Sequence, residues 1–505
     1  MQEWAGRGGP APNGYPDAGA NAARADEQRR LLLAAIRRTD LPLGRLWLRY
    51  FGLGGLADLV EVESYLDGQN VLQEGQRDIL AHAVNERLDE LAWRRRVPYS
   101  RALPEVRPQH GALAALLHLL DGAHGAPPDR LPALVDLAGQ ALDVHAVLYL
   151  VDHGQRMLVP LRPEGADPDA AGDPLGVDST LPGRAFRDVR PVAADSEDQP
   201  RLWVPVLDGE ERLGVLEARV HDPARLADSY LREQLVWVAA LVGHLVSVTS
   251  RYGDALDATR RHQARTPAAE LVWSLLPPLT AAANGFVLAG QVEPIHAVCA
   301  DAFDYAVSDR VVQLGVFDGM GTSIGAGLLT AAALSAYRSS RRNGQGLYDQ
   351  ARTIDDTLRD ELGDAALVTG VLAQLDLTTG RLRYLSAGGP EPLVMRDGRV
   401  VKTLAGGRRE PFGCGGVELT IAEEALQPGD WLVLHTDGLI EARDAAGRAF
   451  SRSRLVDLLE REAAAGHPPP EMVRRVTRAV LEHQQGVPQV DAALVLGRWD
   501  VGASP

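Results

Sequence analysis

The chain has 505 residues, of which 45% are apolar and 24% charged, fractions that are ordinary for globular proteins. This length predicts roughly three domains, and the composition excludes a wholly disordered, collagen-like or coiled-coil chain. The 52 basic and 68 acidic residues give a net charge of −16. Because an acidic chain repels phosphate backbones, nucleic acid is not expected as a partner.

The cysteine count and the apolar stretches bear on the compartment. Two cysteines, Cys299 and Cys414, are too few for a disulfide framework and fit a reducing cytoplasm. The first 30 residues lack the apolar core of a signal peptide. The most apolar stretch, 235–248, is too short to span a bilayer. We therefore expect a cytoplasmic protein without a membrane partner.

The N-terminal region divides into a tail and a helical segment. Residues 1–25 are mostly Gly, Ala, Pro and Asn, which predicts a disordered tail. Residues 26–110 predict a small helical domain, because apolar residues recur at three- and four-residue spacing in RDILAHAVNERLDELAWRRR. The glycines of FGLGG and LDGQN separate its helices. We expect no chemistry in this domain.

Residues 111–250 predict an α/β domain. A helix candidate, PALVDLAGQALDV, precedes two strands, HAVLYLVD and RMLVPLR. The hairpin RLWVPVLDGEERLGVLEARV follows, with its turn at Asp208-Gly209, and a long helix over about 227–250 closes the segment. This order resembles a GAF domain, a sensory module, over roughly 111–250. No Cys or His pair there is typical of a chromophore or metal site, so no ligand is named.

The closing helix carries an apolar face formed by Leu235, Val238, Val242, Leu245 and Tyr252. One interpretation is core packing against the domain's own sheet, and the other is the seam of a parallel homodimer. Core packing is the preferred interpretation. Residues 251–284 then predict a linker helix, which Pro277-Pro278 ends.

Residues 285–505 alternate strand-like and helix-like pieces, with hairpin turns predicted at Gly380 and Asp397-Gly398. This content predicts an α+β fold in which helices flank a β-sandwich. With the preceding segments, the sequence therefore predicts a small helical domain, an α/β domain, a linker helix and an α+β domain.

Four aspartates stand where we expect strands to end in turns: Asp301 in CADAFD, Asp318 in VFDGMG, Asp437 in LHTDGL and Asp491 in QVDAAL. Carboxylate oxygens suit a hard divalent cation, and a following glycine lets a backbone carbonyl approach it. Two such ions can activate water for attack on phosphorus. Each aspartate alone is most often a turn residue, but the ordered set favours a metal site.

Residues 270–500 resemble the bacterial PP2C-like serine phosphatases of the SpoIIE/RsbU type. ELVWSLLPPL is similar to the family's linker helix, VFDGMG to its central Asp-Gly motif, and LQPGDWLVLHTDGLIEARDAAGRAF to its most recognisable segment. CADAFDYA stands where the family has Gly-Gly-Asp-Phe-Tyr-Asp, and it keeps Asp301 and Asp304. The resemblance implies a PP2C-like β-sandwich.

The resemblance also implies a site for two ions, Mn²⁺ or Mg²⁺. Asp318 would bridge both ions, with the Gly319 carbonyl on one and Asp437 on the other. Asp301 would bind directly or through water, and Asp304 would support the ligands from behind. Asp318 and Asp301 are the implied catalytic residues.

The implied reaction is hydrolysis of phosphoserine or phosphothreonine. Its implied substrate is a phosphorylated regulatory protein, a STAS-type anti-sigma-factor antagonist, and the GAF-like region would control the activity. The GAF-like region is a common companion of such phosphatase domains, so a sensor function is expected upstream.

The last motif departs from the family, which has paired aspartates where this chain has Val490-Asp491. Successive strand residues point to opposite faces. Either Val490 lies at the metal and one ion site is weakened, or the register shifts by one residue. We take Asp491 as the candidate ligand.

Other departures are Gly321-Thr322-Ser323 in place of Gly-His-Gly, Cys299-Ala300 in place of Gly-Gly, and SAGGP at 386–390, which lacks a usual histidine. They support a second hypothesis, a degenerate phosphatase fold that serves as a binding or scaffold module with little turnover. The retained aspartates favour the enzyme, which is the leading hypothesis.

Three further features each have two interpretations. His435 would share a strand face with Asp437 and act as a general acid, or, preferably, is a buried strand histidine. Cys299 is either a redox-sensitive thiol or, preferably, a small buried residue. The RSSRR run at 338–342 either docks an acidic partner or, preferably, is a solvated helix end.

Overall fold

The structure is a computed structural model. It describes residues 18–39, 41–91, 108–162, 173–195, 199–283, 285–293, 300–321, 323–363, 365–414, 418–486 and 490–500. Most of the expected tail, Cys299 and Thr322 lie outside the described residues. The chain divides into two compact units, Met1–Pro108 and Gln109–Pro505.

The first unit is helical where it is described. Its helices are α1 (Ala18–Ile36), α2 (Leu43–Gly52), α3 (Leu59–Leu66) and α4 (Glu74–Glu90). A reciprocal cap starts α3, because Asp58 accepts from the Glu61 N–H while the Glu61 side chain accepts from the Asp58 N–H. Leu46, Tyr50 and Leu80 are buried in its core.

The second unit begins with an antiparallel six-stranded sheet and its covering helices. Its elements are α5 (Ala112–Ala123), α6 (Leu131–Ala141), β1 (His145–Val151), β2 (Met157–Pro160), β3 (Leu175–Gly176), α7 (Leu181–Asp188), β4 (Val192–Ala194), β5 (Arg201–Asp208), β6 (Glu211–Arg219) and α8 (Ser229–Thr249). The strand order is β3-β2-β1-β6-β5-β4. The expected hairpin is β5–β6, in which Asp208 pairs with Glu211.

Helix α8 packs on this sheet. Leu235, Val238, Val242 and Leu245 are buried in the core, as the preferred interpretation required, whereas Tyr252 is exposed and lies beyond the end of the helix. By length and composition α8 could cross a membrane, and it is longer than the apolar stretch noted in the sequence. Half of its apolar window (50%) is buried inside the protein.

Two short helices and a β-sandwich complete the chain. The elements are α9 (Ala255–Arg260), α10 (Pro267–Leu275), β7 (Thr280–Ala283), β8 (Phe286–Glu293), β9 (Asp301–Val307), β10 (Val311–Gly319), α11 (Ser323–Arg342), α12 (Leu347–Leu362), β11 (Val368–Asp376), β12 (Arg381–Ala387), β13 (Leu393–Arg396), β14 (Arg399–Thr403), β15 (Arg408–Arg409), β16 (Ala422–Ala425), β17 (Trp431–His435), α13 (Asp437–Glu441), α14 (Arg452–Ala464), α15 (Pro469–His483) and β18 (Ala492–Trp499).

The sandwich consists of two six-stranded sheets. One sheet has the order β15-β12-β11-β10-β9, with β16 paired to β12, and the other has the order β14-β13-β17-β18-β8-β7. One large core joins the facing sheets with α11 and α12, and a second core joins β17 and β18 with α14 and α15. The predicted α+β sandwich with flanking helices is confirmed.

The turns follow the sequence signals. Gly380 has φ of +71° between β11 and β12, and Asp397 and Gly398 have φ of +49° and +75° between β13 and β14. These left-handed conformations suit Gly and Asp in tight hairpins. The two hairpins bring β11–β12 and β13–β14 into separate sheets.

Buried ion pairs connect the α/β sheet with the sandwich. Arg474 of α15, whose side chain is 2% exposed, donates to Asp178 (2.7 Å) and to Glu471 (2.7 Å). Arg212 of β6 donates to the Gln155 side chain (2.9 Å) and pairs with Glu471 (3.5 Å). The α/β sheet and the β-sandwich, the two layers of the second unit, are therefore joined through α15.

Candidate active site

The four predicted aspartates meet at one edge of the sandwich, contributed by both sheets. Asp301 and Asp318 are direct partners across the β9–β10 pair. Asp437 follows β17, and Asp491 precedes β18, which pairs with β17. The prediction that all four end strands was wrong for Asp301 and Asp491, which stand at strand starts. In an antiparallel sheet, starts and ends of neighbouring strands share an edge.

Asp318 lies at the centre of the cluster. Its carboxylate interacts with both Asp301 and Asp437, and Thr369 also donates to it. Burial, and to a smaller extent the nearby Asp437, raise the pKa of Asp318 to about 6 against the lowering effect of its hydrogen bonds with Asp301 and Thr369. The central position is the one that a carboxylate shared by two cations would need.

Asp301 is 1% exposed. Burial, and then the Asp318 charge, raise its pKa well above the usual range of a carboxyl group. The Thr436 hydroxyl donates to Asp301 Oδ2 at 2.6 Å and itself accepts from the Ala493 N–H at 2.8 Å. Thr436 thus ties the two sheets together at the cluster.

Asp491 faces the cluster, and Val490 does not. Asp491 Oδ2 accepts from the Ala300 N–H at 2.7 Å, and burial together with the Asp318 charge raises its pKa to about 6. Val490 is 40% exposed. Of the two arrangements left open by the sequence, the structure has the one in which Asp491 points inward; its role as a ligand stays a prediction.

The glycines beside the aspartates are required by close packing. A Cβ at Gly319 would lie 2.3 Å from the Ala326 carbonyl oxygen of α11, and a Cβ at Gly438 would lie 1.7 Å from the Asp491 carbonyl oxygen. Any side chain at Gly438 would therefore displace Asp491. The role of the Gly319 carbonyl as a ligand stays a prediction.

Asp304 lies away from the cluster, paired with α11. Its carboxylate binds Arg338 (2.8 and 3.0 Å) and Arg341 (2.9 Å). The interpretation of 338–342 as a solvated helix end is therefore wrong for these two arginines, which turn inward. The alternation of side chains along β9 explains why Asp301 and Asp304 have different surroundings.

His435 is buried, which agrees with the preferred interpretation of the sequence. Its Nδ1 lies 2.8 Å from the Thr436 carbonyl oxygen. Burial lowers its pKa. Strand β17 ends at His435 and Asp437 starts α13, so the argument that both share a strand face was wrong. Both nevertheless line one cavity of about 260 Å³.

The donor chemistry of the cluster fits a divalent cation. Carboxylates crowded in a buried position must take up protons or a cation, which the raised pKa values of Asp301, Asp318 and Asp491 express. In the part of the chain that the structure describes, no three His, Cys, Asp or Glu side chains are grouped closely enough to hold an ion by themselves. Carboxylate pairs completed by water suit magnesium, which keeps several waters.

Thr436, Thr369 and Gly438 were missed by the sequence reasoning. Thr436 and Gly438 flank Asp437 in LHTDGL, so the motif contained them, but their partners come from other strands. Thr369 pairs with Asp318 across β10–β11. Only the strand register shows these contacts.

The sandwich with its flanking helices has the PP2C-like fold that the sequence resemblance implied. Residues 308–500 match the family model described as Stage II sporulation protein E (SpoIIE), less than half of the chain. The resemblance to the SpoIIE-type phosphatases that the sequence predicted is therefore confirmed for this segment. The GAF-like character of 111–250 stays a prediction.

Individual relatives are more distant. The chain is 26% identical over 164 residues to Protein IcfG of Synechocystis sp., a match that covers 31% of this chain and 25% of that protein. The SiaA-PP2C domain of Pseudomonas aeruginosa is similar at 23% identity and a TM-score of 0.40, over 50% of this chain and 99% of that chain. SpoIIE from Bacillus subtilis is similar at 20% identity and a TM-score of 0.36, over 43% of this chain and 64% of that chain. At these values no single relative determines an activity for this chain.

Proposed function

We propose that this chain is a metal-dependent protein serine/threonine phosphatase. The observation that carries the proposal is the meeting of Asp301, Asp318, Asp437 and Asp491 at one edge of a SpoIIE-type domain. Bound Mn²⁺ or Mg²⁺ ions would neutralise charge on the transferring phosphoryl group and activate water.

The protein's own residues would prepare this site. Asp318, which contacts carboxylates on both sides, would hold two ions together, and Asp437 and Asp301 would bind at its flanks. The Thr436 hydroxyl fixes the orientation of Asp301, and the Ala300 N–H fixes that of Asp491. These hydrogen bonds preorganise the carboxylates before a cation arrives.

The proposed substrate is a phosphorylated regulatory protein in the cytoplasm, an anti-sigma-factor antagonist of the STAS type. The proposed sensor is the α/β domain at 111–250, which contacts α15 through buried ion pairs. Helix α15 packs on β18, the strand that follows Asp491. A change in the α/β domain would therefore reach the site through α15 and β18. A homodimer is the alternative use of this domain.

A second candidate is a binding or scaffold module with little turnover. It is favoured by the finding that, within the described ranges, no three potential ligands are grouped as a preformed ion site. The substitution of the Gly-His-Gly motif supports it as well. The two candidates differ in whether the folded protein turns over substrate.

The test is hydrolysis of para-nitrophenyl phosphate and of phosphoserine, phosphothreonine and phosphotyrosine peptides, with and without Mn²⁺. We expect Mn²⁺-dependent turnover that favours phosphoserine and phosphothreonine. Asp318→Asn should lower kcat/KM by more than about 100-fold, because loss of a residue that only orients a metal ligand already costs about 10- to 100-fold. Asp360→Asn, which changes a carboxylate that is 67% exposed on α12, is the matched control. Folded wild-type protein without turnover under any divalent cation would favour the scaffold.

A further inference from the structure

A cavity of about 260 Å³ opens beside the carboxylate cluster. Its lining includes Asp437 and His435 together with Glu391, Arg408 and Arg452. This volume is enough for one polar side chain with hydration. A group bound there would lie next to whatever the Asp437 carboxylate holds.

The first arginine is positioned by a short strand that is anchored in the core. Arg408 and Arg409 form β15 and pair with Ser386 and Ala387 of β12. Arg409 is buried and holds Asp355 through two hydrogen bonds of 2.6 and 2.9 Å. Because neighbouring strand residues point to opposite faces, Arg408 is turned outward, and its side chain is 62% exposed.

The second arginine begins a helix. Arg452 is the first residue of α14, and its side chain is 44% exposed. The preceding residue, Ser451, has φ of +73° and caps the helix by accepting from the Arg454 N–H. This sharp entry into α14 places Arg452 at the cavity.

Glu391 lies between the two guanidinium groups. Its Oε1 accepts from Arg408 at 2.9 Å, and its Oε2 lies 3.6 Å from Arg452. One carboxylate is thus shared by two cations, so this group keeps a net positive charge and spare N–H donors. The positive group lines the same cavity as Asp437, one of the four clustered aspartates.

We propose that Arg408 and Arg452 bind an acidic side chain of the protein substrate, one that flanks the phosphorylated serine or threonine. This inference rests on the proposed function and narrows its substrate class to phosphorylated segments with adjacent Asp or Glu. The planar guanidinium fork suits a carboxylate. The phosphoryl group itself belongs at the carboxylate cluster, where cations would receive it, which leaves the arginines for a neighbouring residue.

The experiment compares two phosphoserine heptapeptides on the full-length chain with Mn²⁺, one with Glu on both sides of the phosphoserine and its twin with Gln. Wild-type protein should prefer the Glu peptide. Because both arginines are partly exposed, we expect Arg408→Gln or Arg452→Gln each to lower kcat/KM for the Glu peptide by about fivefold. The preference over the Gln peptide should shrink by the same factor and should weaken with added salt.

Glu391→Gln gives a prediction of opposite sign. It removes the internal carboxylate that competes with the substrate, so the preference for the Glu peptide should rise severalfold. Arg399→Gln, an exposed arginine of β14 that is not part of the cavity lining, is the matched control and should keep the wild-type preference. Thermal melting of each variant excludes misfolding as the cause.

Two results would overturn the inference. One is a loss of kcat/KM in the arginine variants that is equal for the Glu peptide, the Gln peptide and para-nitrophenyl phosphate. This result would mean that the arginines bind the phosphoryl group. The other is a wild-type protein without any preference between the peptides. If no turnover is found, the affinities of the two labelled peptides, measured by fluorescence anisotropy, test the inference instead. If the protein binds the Glu peptide more tightly than the Gln peptide and Arg408→Gln loses this difference, the inference holds although the proposed activity fails. Equal binding of the two peptides overturns the inference.

Discussion

At the scale of single residues, the site depends on carboxylates held where water would normally solvate them. Asp301 and Asp318 face each other across a strand pair, and burial raises the pKa of both. Such a pair is unfavourable until a cation or a proton neutralises it. Local instability at this edge is therefore a consequence of the chemistry that we propose for it.

Glu293, which pairs with Ala492 beside the cluster, gives a pH-dependent prediction. Burial raises its pKa to about 7, against the opposing effect of Arg156, which lies 3.5 Å away. Because the folded pKa exceeds the ordinary value of 4.5, the folded state binds more protons than the unfolded state between these pH values. This carboxyl therefore makes the protein less stable as the pH rises from 4.5 to 7.

We expect Glu293→Gln to stabilise the protein at pH 8 by at most about 3 kcal/mol and to leave stability at pH 4.5 nearly unchanged. Urea unfolding at several pH values measures this difference. Glu482→Gln, on a side chain that is 62% exposed, serves as the control. A variant that is less stable than wild type at pH 8 would show that the Arg156 ion pair outweighs burial.

At the scale of elements, α11 is attached to β9 through Asp304. The carboxylate of Asp304 is 2% exposed and receives hydrogen bonds and ion pairs from Arg338 and Arg341. The N-terminal half of the same helix packs against Gly319, where any Cβ would clash with the Ala326 carbonyl. Helix α11 is thus clamped at both ends beside the strands that carry Asp301 and Asp318.

Removing the charge of Asp304 should loosen this clamp. Asp304→Asn leaves two guanidinium groups without their carboxylate, and we expect it to lower the free energy of unfolding by about 3 kcal/mol. Chemical denaturation measures the loss, with Asp360→Asn as the surface control. An unchanged free energy of unfolding would mean that water replaces the carboxylate at no cost.

The elements also show where sequence reasoning succeeds. The hairpins at Asp208-Gly209, Gly380 and Asp397-Gly398 were predictable because their turn residues adopt conformations that other residues avoid. The buried face of α8 followed from apolar spacing. The inward turn of Arg338 and Arg341 was not predictable, because their partner Asp304 comes from a strand about 35 residues earlier.

At the scale of the whole molecule, ion pairs of the buried Arg474 and Arg212 connect the α/β domain with the sandwich in the second unit. Arg474 is 2% exposed and contacts Asp178, from the α/β layer, and Glu471, from its own helix. Arg212 approaches the same Glu471 from β6. Buried ion pairs add little stability compared with apolar packing, but breaking one is costly.

We expect Arg474→Met to lower the free energy of unfolding by about 3 kcal/mol, since it leaves buried carboxylates with fewer partners. Arg399→Met on β14, an exposed arginine outside these ion pairs, should cost less than about 1 kcal/mol. Denaturation followed by tryptophan fluorescence measures both variants. Equal losses would show that burial of Arg474 has no special role in joining the layers.

For the whole molecule, the sequence predicted the sandwich and the four acidic positions, because a motif and its glycine neighbours are local. It took Asp491 as the candidate ligand but left open whether Asp491 or Val490 points inward, since this depends on how the chain enters β18. It did not predict the contribution of Thr436 and Thr369. Those contacts join segments more than 50 residues apart, which only the pairing of strands brings together.

The most direct test of this account is calorimetric titration of Mn²⁺ into the metal-free full-length chain. Wild-type protein and Asp360→Asn should bind the cation alike, and Asp318→Asn should lose at least about 100-fold in affinity, because it removes the central carboxylate. A folded wild-type chain that binds no divalent cation, or an Asp318→Asn variant that binds it as tightly as wild type, would contradict the assignment of this edge as a metal site.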